Sequence, residues 1–415
     1  IWLGSAVFPI YLLARDRLQS RWIGVALALA LALHPALHGV NMFDFHSLAL
    51  AIPLMCWAVY LVDRRSWLLW PALALLLACR EDMALLACFI GAYALLGRRL
   101  RVGLGIIAGS IAYLAFVKLA VMPDAALLMQ ADNTYSYASF YSEMIPRPEE
   151  GVRGLVLSLV TNPIYALGVL CKEEKLIFMI QLLLPLAFLP LFAGRARILW
   201  LYGMAFIGLA SRPHVFALNF QYSAVLFPML FAATPQALAK IGESPRLRTL
   251  GIDGTRARAA AVAAILAAST LVSWKFGVLV ENTAFKAGWQ PLTRDPDAKL
   301  RLRADRTREM VAKIPADAAV SASSEIGPQL SNRERIYRWP DVRDAEYMLL
   351  GAWRFNGGER ARLDRQAKTT FEVIDEHDGV ILLKRREGSP AARADAPARA
   401  GAPARRTSPS GRPPR

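Results

Sequence analysis

The sequence predicts a mainly α-helical fold, a polytopic transmembrane bundle of about ten spans with a small C-terminal α/β domain outside the membrane. Hydrophobic residues form 55% of the 415-residue chain. They come in repeated runs of roughly 14 to 22 residues, close to the ~20 that a helix needs to cross a bilayer. Arginines collect in alternate loops between these runs. After residue 280 the pattern changes to short alternating segments, as in a folded α/β domain.

The apolar runs are predicted to be helical spans because backbone polar groups cannot stay unpaired in lipid. The predicted spans are residues 1–14, 22–38, 46–62, 67–79, 83–97, 102–121, 176–193, 198–210, 220–238 and 259–280. The chain starts at Ile1 within an apolar run, and we therefore expect it to be a fragment that lacks its natural N-terminus.

Loop charge predicts the orientation of the spans, because cytoplasmic loops collect lysine and arginine. The basic set of loops holds Arg15, Arg17, Arg21, Arg64, Arg65, Arg98, Arg99, Arg101, Arg195, Arg197, Lys240, Arg246, Arg248, Arg256 and Arg258. In the alternate set, residues 41–46, 80–82, 122–175 and 211–221, acidic residues outnumber basic ones. We expect the basic set in the cytoplasm. The net charge of +16 lies largely in these loops and in the tail, so membrane lipids are the expected partners and nucleic acid is not.

Three regions follow from this pattern: a transmembrane domain at 1–280, an extracytoplasmic α/β domain at 281–388, and a disordered Pro/Ala/Arg-rich tail at 389–415. Within the α/β domain we predict a helix at 301–313, a helical turn at 326–330, and strands at 319–323, 335–339, 347–350 and 380–384. The long external loop 122–175 is either a lid over a lipid-facing site or an amphipathic connector.

Arg80-Glu81-Asp82 is the most informative polar cluster. The runs beside it, 67–79 and 83–97, reach only roughly 20 to 22 Å, short of a ~30 Å hydrocarbon layer. We expect the three charges in a recess, where charged groups usually line a cavity. Glu81 and Asp82 are candidate catalytic carboxylates and Arg80 a candidate substrate-binding cation. Two carboxylates beside one cation need a further partner, unless the cluster is only an internal pair that caps a helix.

Two further clusters lie on the same side. Asp44 is a third candidate catalytic residue, with His46 and Asn41 as candidate substrate-binding residues, because carboxylate and imidazole suit proton transfer or metal binding. A divalent metal is the candidate cofactor. Alternatively Asp44 caps the helix that starts near Ser47. The third cluster supplies the candidate substrate-binding residues Arg212, His214 and Tyr222. A guanidinium matches phosphate oxygens bidentately, although an interfacial arginine whose stem lies along the membrane is an equal alternative.

The motifs at 41–46 (Asn-Met-Phe-Asp-Phe-His) and 80–85 (Arg-Glu-Asp-Met-Ala-Leu) resemble those of the bacterial membrane-protein family called domain of unknown function 2079. Weaker matches lie at 219–224 with Pro228, and from 314–317 through 330–333, so that the resemblance covers most of residues 1–350 in order. That family is similar in layout to the GT-C glycosyltransferases. The resemblance implies a bacterial plasma-membrane protein, catalysis at the outer face, and a polyprenyl-phosphate-linked sugar donor. It also implies that the principal carboxylate lies in a first external loop, which we expect to precede Ile1 in the full protein.

Three functions therefore stay open. The first is a lipid-linked-sugar glycosyltransferase. The second is a transporter or flippase, which would favour polar residues at mid-membrane and repeat symmetry between halves. The third is a non-enzymatic envelope-assembly protein, favoured by the lack of a nucleotide-binding or nucleophile motif in residues 281–388.

Overall fold

The structure is a computed structural model that describes residues 1–43, 45–122, 137–280 and 297–388. The chain divides into two compact units, Ile1–Leu292 and Thr293–Arg415. Asp44 and the predicted tail at 389–415 lie outside the described residues. The predicted domain boundary near residue 280 stays a prediction.

The first unit is built from helices throughout its described residues. Its α-helices are Val7–Leu18, Arg21–Ala32, Pro35–Met42, Ser47–Arg64, Leu69–Cys79, Met83–Leu96, Leu100–Phe116, Gly151–Thr161, Pro163–Leu170, Glu173–Leu183, Ile198–Gly208, Phe227–Glu243, Pro245–Thr249 and Gly254–Phe276. Its mainly helical character is as predicted.

Among the described residues, four helical segments are long and apolar enough to cross a membrane: Ser47–Arg64, Leu100–Val121, Gln221–Glu243 and Gly254–Phe276. The number rises to six if each of two bent helix pairs counts as one span. The predicted number of about ten is not confirmed, because several of the apolar runs form shorter helices. Leu69–Cys79 and Met83–Leu96, which flank Arg80 to Asp82, are among them.

Both bends lie where a proline begins the second helix of the pair. Arg21–Ala32 and Pro35–Met42 meet at 48°, and the His34 side chain accepts a hydrogen bond from the Ala36 backbone N–H at the break. Gly151–Thr161 and Pro163–Leu170 meet at 102°. Proline has no N–H to donate, so it fits the first turn of a helix and cannot continue the preceding one.

The segment predicted as an external loop, 122–175, is largely helical where the structure describes it. Residues 123–136 lie outside the described part, and the rest includes the helix pair bent by 102°. Side chains of this pair are exposed and apolar, among them Val160 and Ile164. Its apolar runs are long enough to form these two short helices, and its place outside the membrane, as a lid or an amphipathic connector, stays a prediction.

The core of the first unit surrounds the helix Phe227–Glu243. Phe227 and Phe231 are fully buried, and the ring of His34 stacks on Phe227 with 5.5 Å between centroids. Helices Val7–Leu18, Ile198–Gly208 and Gly254–Phe276 pack around this helix. It also contacts helix Ser47–Arg64 and the turn Gln221–Val225, which carry residues of the candidate site.

In its described residues the second unit forms a sheet of five strands: β1 Val320–Ala322, β2 Ile336–Arg338, β3 Tyr347–Gly351, β4 Phe371–His377 and β5 Val380–Arg385. Their order in the sheet is β2-β1-β3-β5-β4. β1 pairs parallel with β2 and β3, whereas β5 pairs antiparallel with β3 and β4. Helix Ala298–Ala312 packs on one face through Met310, and helix Gly357–Thr369 on the other through Leu363.

The four predicted strands, the first helix and the helical turn of this domain are all present. Helix Gly357–Thr369 and strand β4 were missed. The helix is mostly charged, so no apolar period marks it, although Asn356 and Glu359 form a capping box at its start. In β4 only Phe371 is buried, so the strand lacks a run of apolar residues.

Candidate functional site

Arg80, Glu81 and Asp82 occupy the turn between helices Leu69–Cys79 and Met83–Leu96. Their side chains are only 14%, 15% and 13% exposed, respectively. The Arg80 guanidinium donates to both carboxylate oxygens of Asp82, which makes a bidentate ion pair. The charges thus lie in a recess, as the short flanking runs predict, and their depth in the membrane stays a prediction.

Helix Ile198–Gly208 fixes the Arg80–Asp82 pair from the opposite side. The Tyr202 hydroxyl donates to Asp82 Oδ2 at 2.7 Å, and Tyr202 is buried. One turn further along the helix, the ring of Phe206 lies 5.7 Å from the Arg80 guanidinium carbon. Asp82 is therefore committed to two strong donors, and Arg80 is held between a carboxylate and an aromatic face.

Glu81 makes a separate ion pair. Lys118 Nζ lies 3.2 Å from Glu81 Oε1, and the Lys118 side chain is 42% exposed. Lys118 belongs to the turn Val117–Val121 that continues helix Leu100–Phe116. The additional cation that the two carboxylates require is therefore present, and it comes from a helix distant in the sequence.

A cavity of about 400 Å³ carries Glu81, Asp82 and Tyr202 on its wall. We call it the apolar cavity because most of its other lining residues are hydrophobic: Leu85, Leu114, Val152, Leu155, Leu159 and Leu209. Leu85 and Leu114 come from helices Met83–Leu96 and Leu100–Phe116, which pack on each other. Helix Gly151–Thr161 of the bent pair also lines the cavity. A cavity of this size and lining suits a hydrocarbon chain with a polar end group.

A second cavity of about 240 Å³, the polar cavity, is lined by His46, Ser47, Leu48, Arg80, Phe140, Phe206, Gln221 and Tyr222. Phe206 lines both cavities. Asp82 lines the apolar cavity whereas Arg80 lines the polar one, so the ion pair joins the two. The structure thus brings His46, Arg80 and Tyr222, which are distant in the sequence, to one cavity.

Gln221 is the most informative residue of the polar cavity. Its side chain is buried, with only 7% of the residue exposed, and no described residue donates a hydrogen bond to its Oε1. A buried acceptor left unsatisfied costs about 1–3 kcal/mol. An acceptor in this state favours a ligand that brings a hydroxyl or N–H donor.

A glycine allows the turn that carries Gln221 and Tyr222 to approach helix Ile198–Gly208. A Cβ at Gly203 would stand 2.6 Å from the backbone oxygen of Val225, so a larger residue would push the turn away. This contact brings Phe206 and Tyr222 to ring centroids 6.5 Å apart.

The other predicted site residues are distributed around the polar cavity. The His214 ring lies 5.7 Å from that of Tyr222 and contacts the cavity wall. Arg212 is exposed, donates to Ser139 Oγ at 3.1 Å, and lines neither cavity. Asn41 is exposed near the end of helix Pro35–Met42 and also lines neither. Asp44 lies outside the described residues.

The candidate divalent metal has no ready ligand set in the described part of the chain. Among residues 1–43, 45–122, 137–280 and 297–388, no group of three or more His, Cys, Asp or Glu side chains could hold a metal ion.

The sequence interpretation missed Lys118 and Tyr202, and it left Gln221, which belongs to the 219–224 motif, out of the candidate site residues. Lys118 carried a usable signal, because a charge inside an apolar run is costly and usually functional. Tyr202 carried no such signal, since tyrosine is common in membrane helices and only the fold directs its hydroxyl to Asp82.

A search of curated proteins finds no match to the chain. The model of one family, described as "Predicted membrane protein (DUF2079)", matches residues 1–382, a range that includes both cavities and nearly all of the described sheet domain. The chain therefore belongs to this family of predicted membrane proteins.

Proposed function

We propose that the protein is a GT-C-like glycosyltransferase that uses a polyprenyl-phosphate-linked sugar at the outer face of the bacterial plasma membrane. The observation that carries this proposal is the meeting of an apolar cavity and a polar cavity at the Arg80–Asp82 pair. A lipid-linked sugar has the same two parts, a hydrocarbon chain and a polyhydroxy head joined by phosphate. In this proposal the arginine-rich loops are cytoplasmic and domain 281–388 is extracytoplasmic.

Glu81 is the carboxylate best suited to act as a base. Asp82 already accepts hydrogen bonds from Arg80 and Tyr202. Glu81 lines the apolar cavity, and its ion-pair partner Lys118 is partly exposed. In the proposed reaction an acceptor hydroxyl attacks the anomeric carbon and gives its proton to Glu81. The bond from that carbon to the phosphate oxygen breaks, and polyprenyl phosphate leaves with the electron pair.

Arg80 and Gln221 are proposed to bind the polar part of the donor. A guanidinium can stabilise the charge that develops on the departing phosphate, and its ion pair with Asp82 fixes its direction. The unsatisfied Gln221 Oε1 can accept a hydrogen bond from a sugar hydroxyl. Tyr222 and His46 complete the wall of the same cavity.

The test is transfer of radiolabelled sugar from polyprenyl phosphate by membranes that contain the protein or its variants. Glu81→Gln keeps the size of the side chain and removes its basicity, so transfer should fall by about 10²- to 10⁴-fold. Gln221→Leu keeps the approximate size of the side chain but removes its amide, including the Oε1 acceptor, and should weaken transfer by about tenfold.

Glu149→Gln is the matched control, because Glu149 is exposed and lines neither cavity. It should leave transfer unchanged. Wild-type rates from Glu81→Gln, at equal amounts of protein in the membrane, would exclude Glu81 as the base.

A transporter or flippase is the second candidate, favoured by the two bent helix pairs. Broken helices are a common feature of transporter substrate sites. The apolar cavity is lined by one bent pair through Val152 and Leu155. Substrate flux in proteoliposomes without covalent sugar transfer would favour this function over the enzyme.

A further inference from the structure

A second site candidate lies at the ends of helices Ser47–Arg64 and Met83–Leu96, where the chain turns into the next helix. A groove of about 540 Å³ runs between these turns. Its basic lining residues are Arg65, Arg98, Arg99 and Arg101. Its other lining residues include Trp67 and Trp70 together with leucines and valines. None of these residues lines either cavity of the candidate site.

The arginines of this groove differ from those of the neighbouring cluster. Arg17 and Arg195 approach Asp63, and Arg64 approaches Asp16, so that cluster contains its own counter-charges. Within the part of the chain that the structure describes, Arg65, Arg98 and Arg101 make no ion pair with a carboxylate. The groove therefore presents positive charge without an internal anion.

Arg99 stabilises the end of a helix, and because its hydrogen-bond partners are uncharged backbone oxygens, its positive charge adds to that of the groove. Its guanidinium donates to the backbone oxygens of Val62 and Asp63 at the end of helix Ser47–Arg64. Arg65 lies near enough to Arg99 for the two like charges to repel. An anion between them would relieve this repulsion.

Two of the arginines also hold a backbone conformation that side chains seldom adopt. Arg65 has φ 56° and Arg98 has φ 59°, each at a turn that ends a helix. Glycine or asparagine is the usual residue at such a position. An arginine there costs backbone energy, and strained non-glycine residues of this kind cluster at binding sites.

The rest of the groove fits the boundary between water and hydrocarbon. Trp67 and Trp70 are exposed, and tryptophan prefers the headgroup level of a membrane. The Trp70 ring lies against helix Leu100–Phe116 at Gly105, where a Cβ would stand 3.1 Å from the ring. Leu69 and Val102 continue the apolar wall.

We propose that this arginine groove binds an anionic diacyl phospholipid. The headgroup phosphate lies among Arg65, Arg98 and Arg101, and an acyl chain follows the wall formed by Trp67 and Trp70. Basic pockets between membrane helices are known to hold acidic headgroups. A free phosphate would use the arginines alone and would leave the tryptophan wall exposed, so a lipid is the better match. This site is independent of the proposed sugar transfer.

The test uses quenching of tryptophan fluorescence by lipids with brominated acyl chains. The protein is reconstituted in phosphatidylcholine vesicles with a minor fraction of brominated phosphatidylglycerol or, separately, brominated phosphatidylcholine. The contribution of Trp67 and Trp70 is taken from the difference between the wild type and Trp67→Phe/Trp70→Phe. We expect their quenching to favour phosphatidylglycerol, and the preference to fall with rising salt.

Arg98→Gln/Arg101→Gln should reduce the preference by about fivefold for each arginine removed. The matched control is Arg21→Gln/Arg64→Gln, which removes the same charge from two helix ends without touching the groove. This control should keep the preference. Arg65→Gln alone provides a milder variant if the double variant does not fold.

Equal quenching by the two lipids would overturn the proposal, as would an equal loss of preference in the control. Soluble pyrophosphate in the buffer separates the two sources of phosphate. If it abolishes the preference at a concentration too low to screen charge, the site binds free phosphate and the lipid proposal fails.

Discussion

Asp82 illustrates how a single residue connects the stability of this protein to its proposed chemistry. Its carboxylate accepts from Arg80 and from Tyr202, and its side chain is only 13% exposed. Removing one partner of a mostly buried ion pair deprives the other of that counter-charge, which costs more than removing both. Substitution of Asp82, which positions Arg80, should therefore lower the stability of the protein, whereas substitution of the proposed base Glu81 should mainly lower its activity.

We expect Asp82→Asn to destabilise the protein by about 3 kcal/mol, because it removes the bidentate carboxylate partner of a mostly buried arginine. The double variant Arg80→Gln/Asp82→Asn should recover much of that loss. The measurement is the thermal unfolding midpoint in detergent of both single variants and the double variant. Additive effects of the two substitutions would show that the pair does not act as a unit.

At the residue scale, the sequence predicted the recess that holds the charged cluster but not the residues that pair with its carboxylates. Arg80, Glu81 and Asp82 stood out because charges between short apolar runs are conspicuous. His46 and Tyr222 stood out through their motifs, and both line the polar cavity. Lys118 carried a signal as a charge inside an apolar run, but its pairing with Glu81, like that of Tyr202 with Asp82, depends on helix packing that no local pattern specifies.

The turn between strands β2 and β3 is an element whose stability should depend on pH. Arg335 Nη1 donates to Asp344 Oδ2 at 2.8 Å, and the Tyr337 hydroxyl donates to Oδ1 at 2.5 Å. The hydrogen bond from Tyr337, and then that from Arg335, hold the pKa of Asp344 below its usual value of 3.8. The ionised form is therefore favoured in the folded domain.

A lowered pKa in the folded state stabilises the domain above the ordinary pKa of aspartate. This stabilisation is lost as the pH falls from about 4 through the lower folded value. Since Asp344 is 40% exposed, the effect should stay below about 1 kcal/mol. Thermal unfolding between neutral and acidic pH should show a smaller acid-induced decrease for Asp344→Asn than for the wild type. An identical decrease would mean that this aspartate does not contribute.

Elements with a clear apolar period were predictable, and those without one were not. Strands β1, β3 and β5 are buried along most of their length, so their sequences revealed them. Helix Gly357–Thr369 buries little more than Leu363 and was missed. In the membrane unit, composition predicted helices correctly, but the breaks at His34 and Asn162 depend on capping geometry that hydropathy does not register.

The topology of the whole molecule can be tested with native and introduced cysteines. Cys171 is exposed and lies in a segment that we predict outside the cell, whereas Cys56 is buried. A membrane-impermeant maleimide should label Cys171 on intact cells. It should also label Arg360→Cys in the sheet domain, and it should spare Arg21→Cys.

All three positions should react after the cells are permeabilised, which controls for their exposure. The introduced cysteines are best tested with Cys171 replaced by serine. Labelling of Arg21→Cys on intact cells, with the sheet-domain position protected, would reverse the proposed orientation and move both cavities to the cytoplasmic half.

The hydrophobic lining of the apolar cavity affects how binding of the proposed donor must be measured. The proposed donor, with its long hydrocarbon chain, would dissolve in the bilayer and reach Glu81 from there, so the bulk volume of the buffer would not dilute it. Its occupancy of the cavity depends on its mole fraction among the lipids. The same protein would therefore show different apparent affinities, in molar units, at different amounts of lipid or detergent. Titrations that hold the total lipid fixed and vary only the fraction of donor would report a constant that belongs to the cavity.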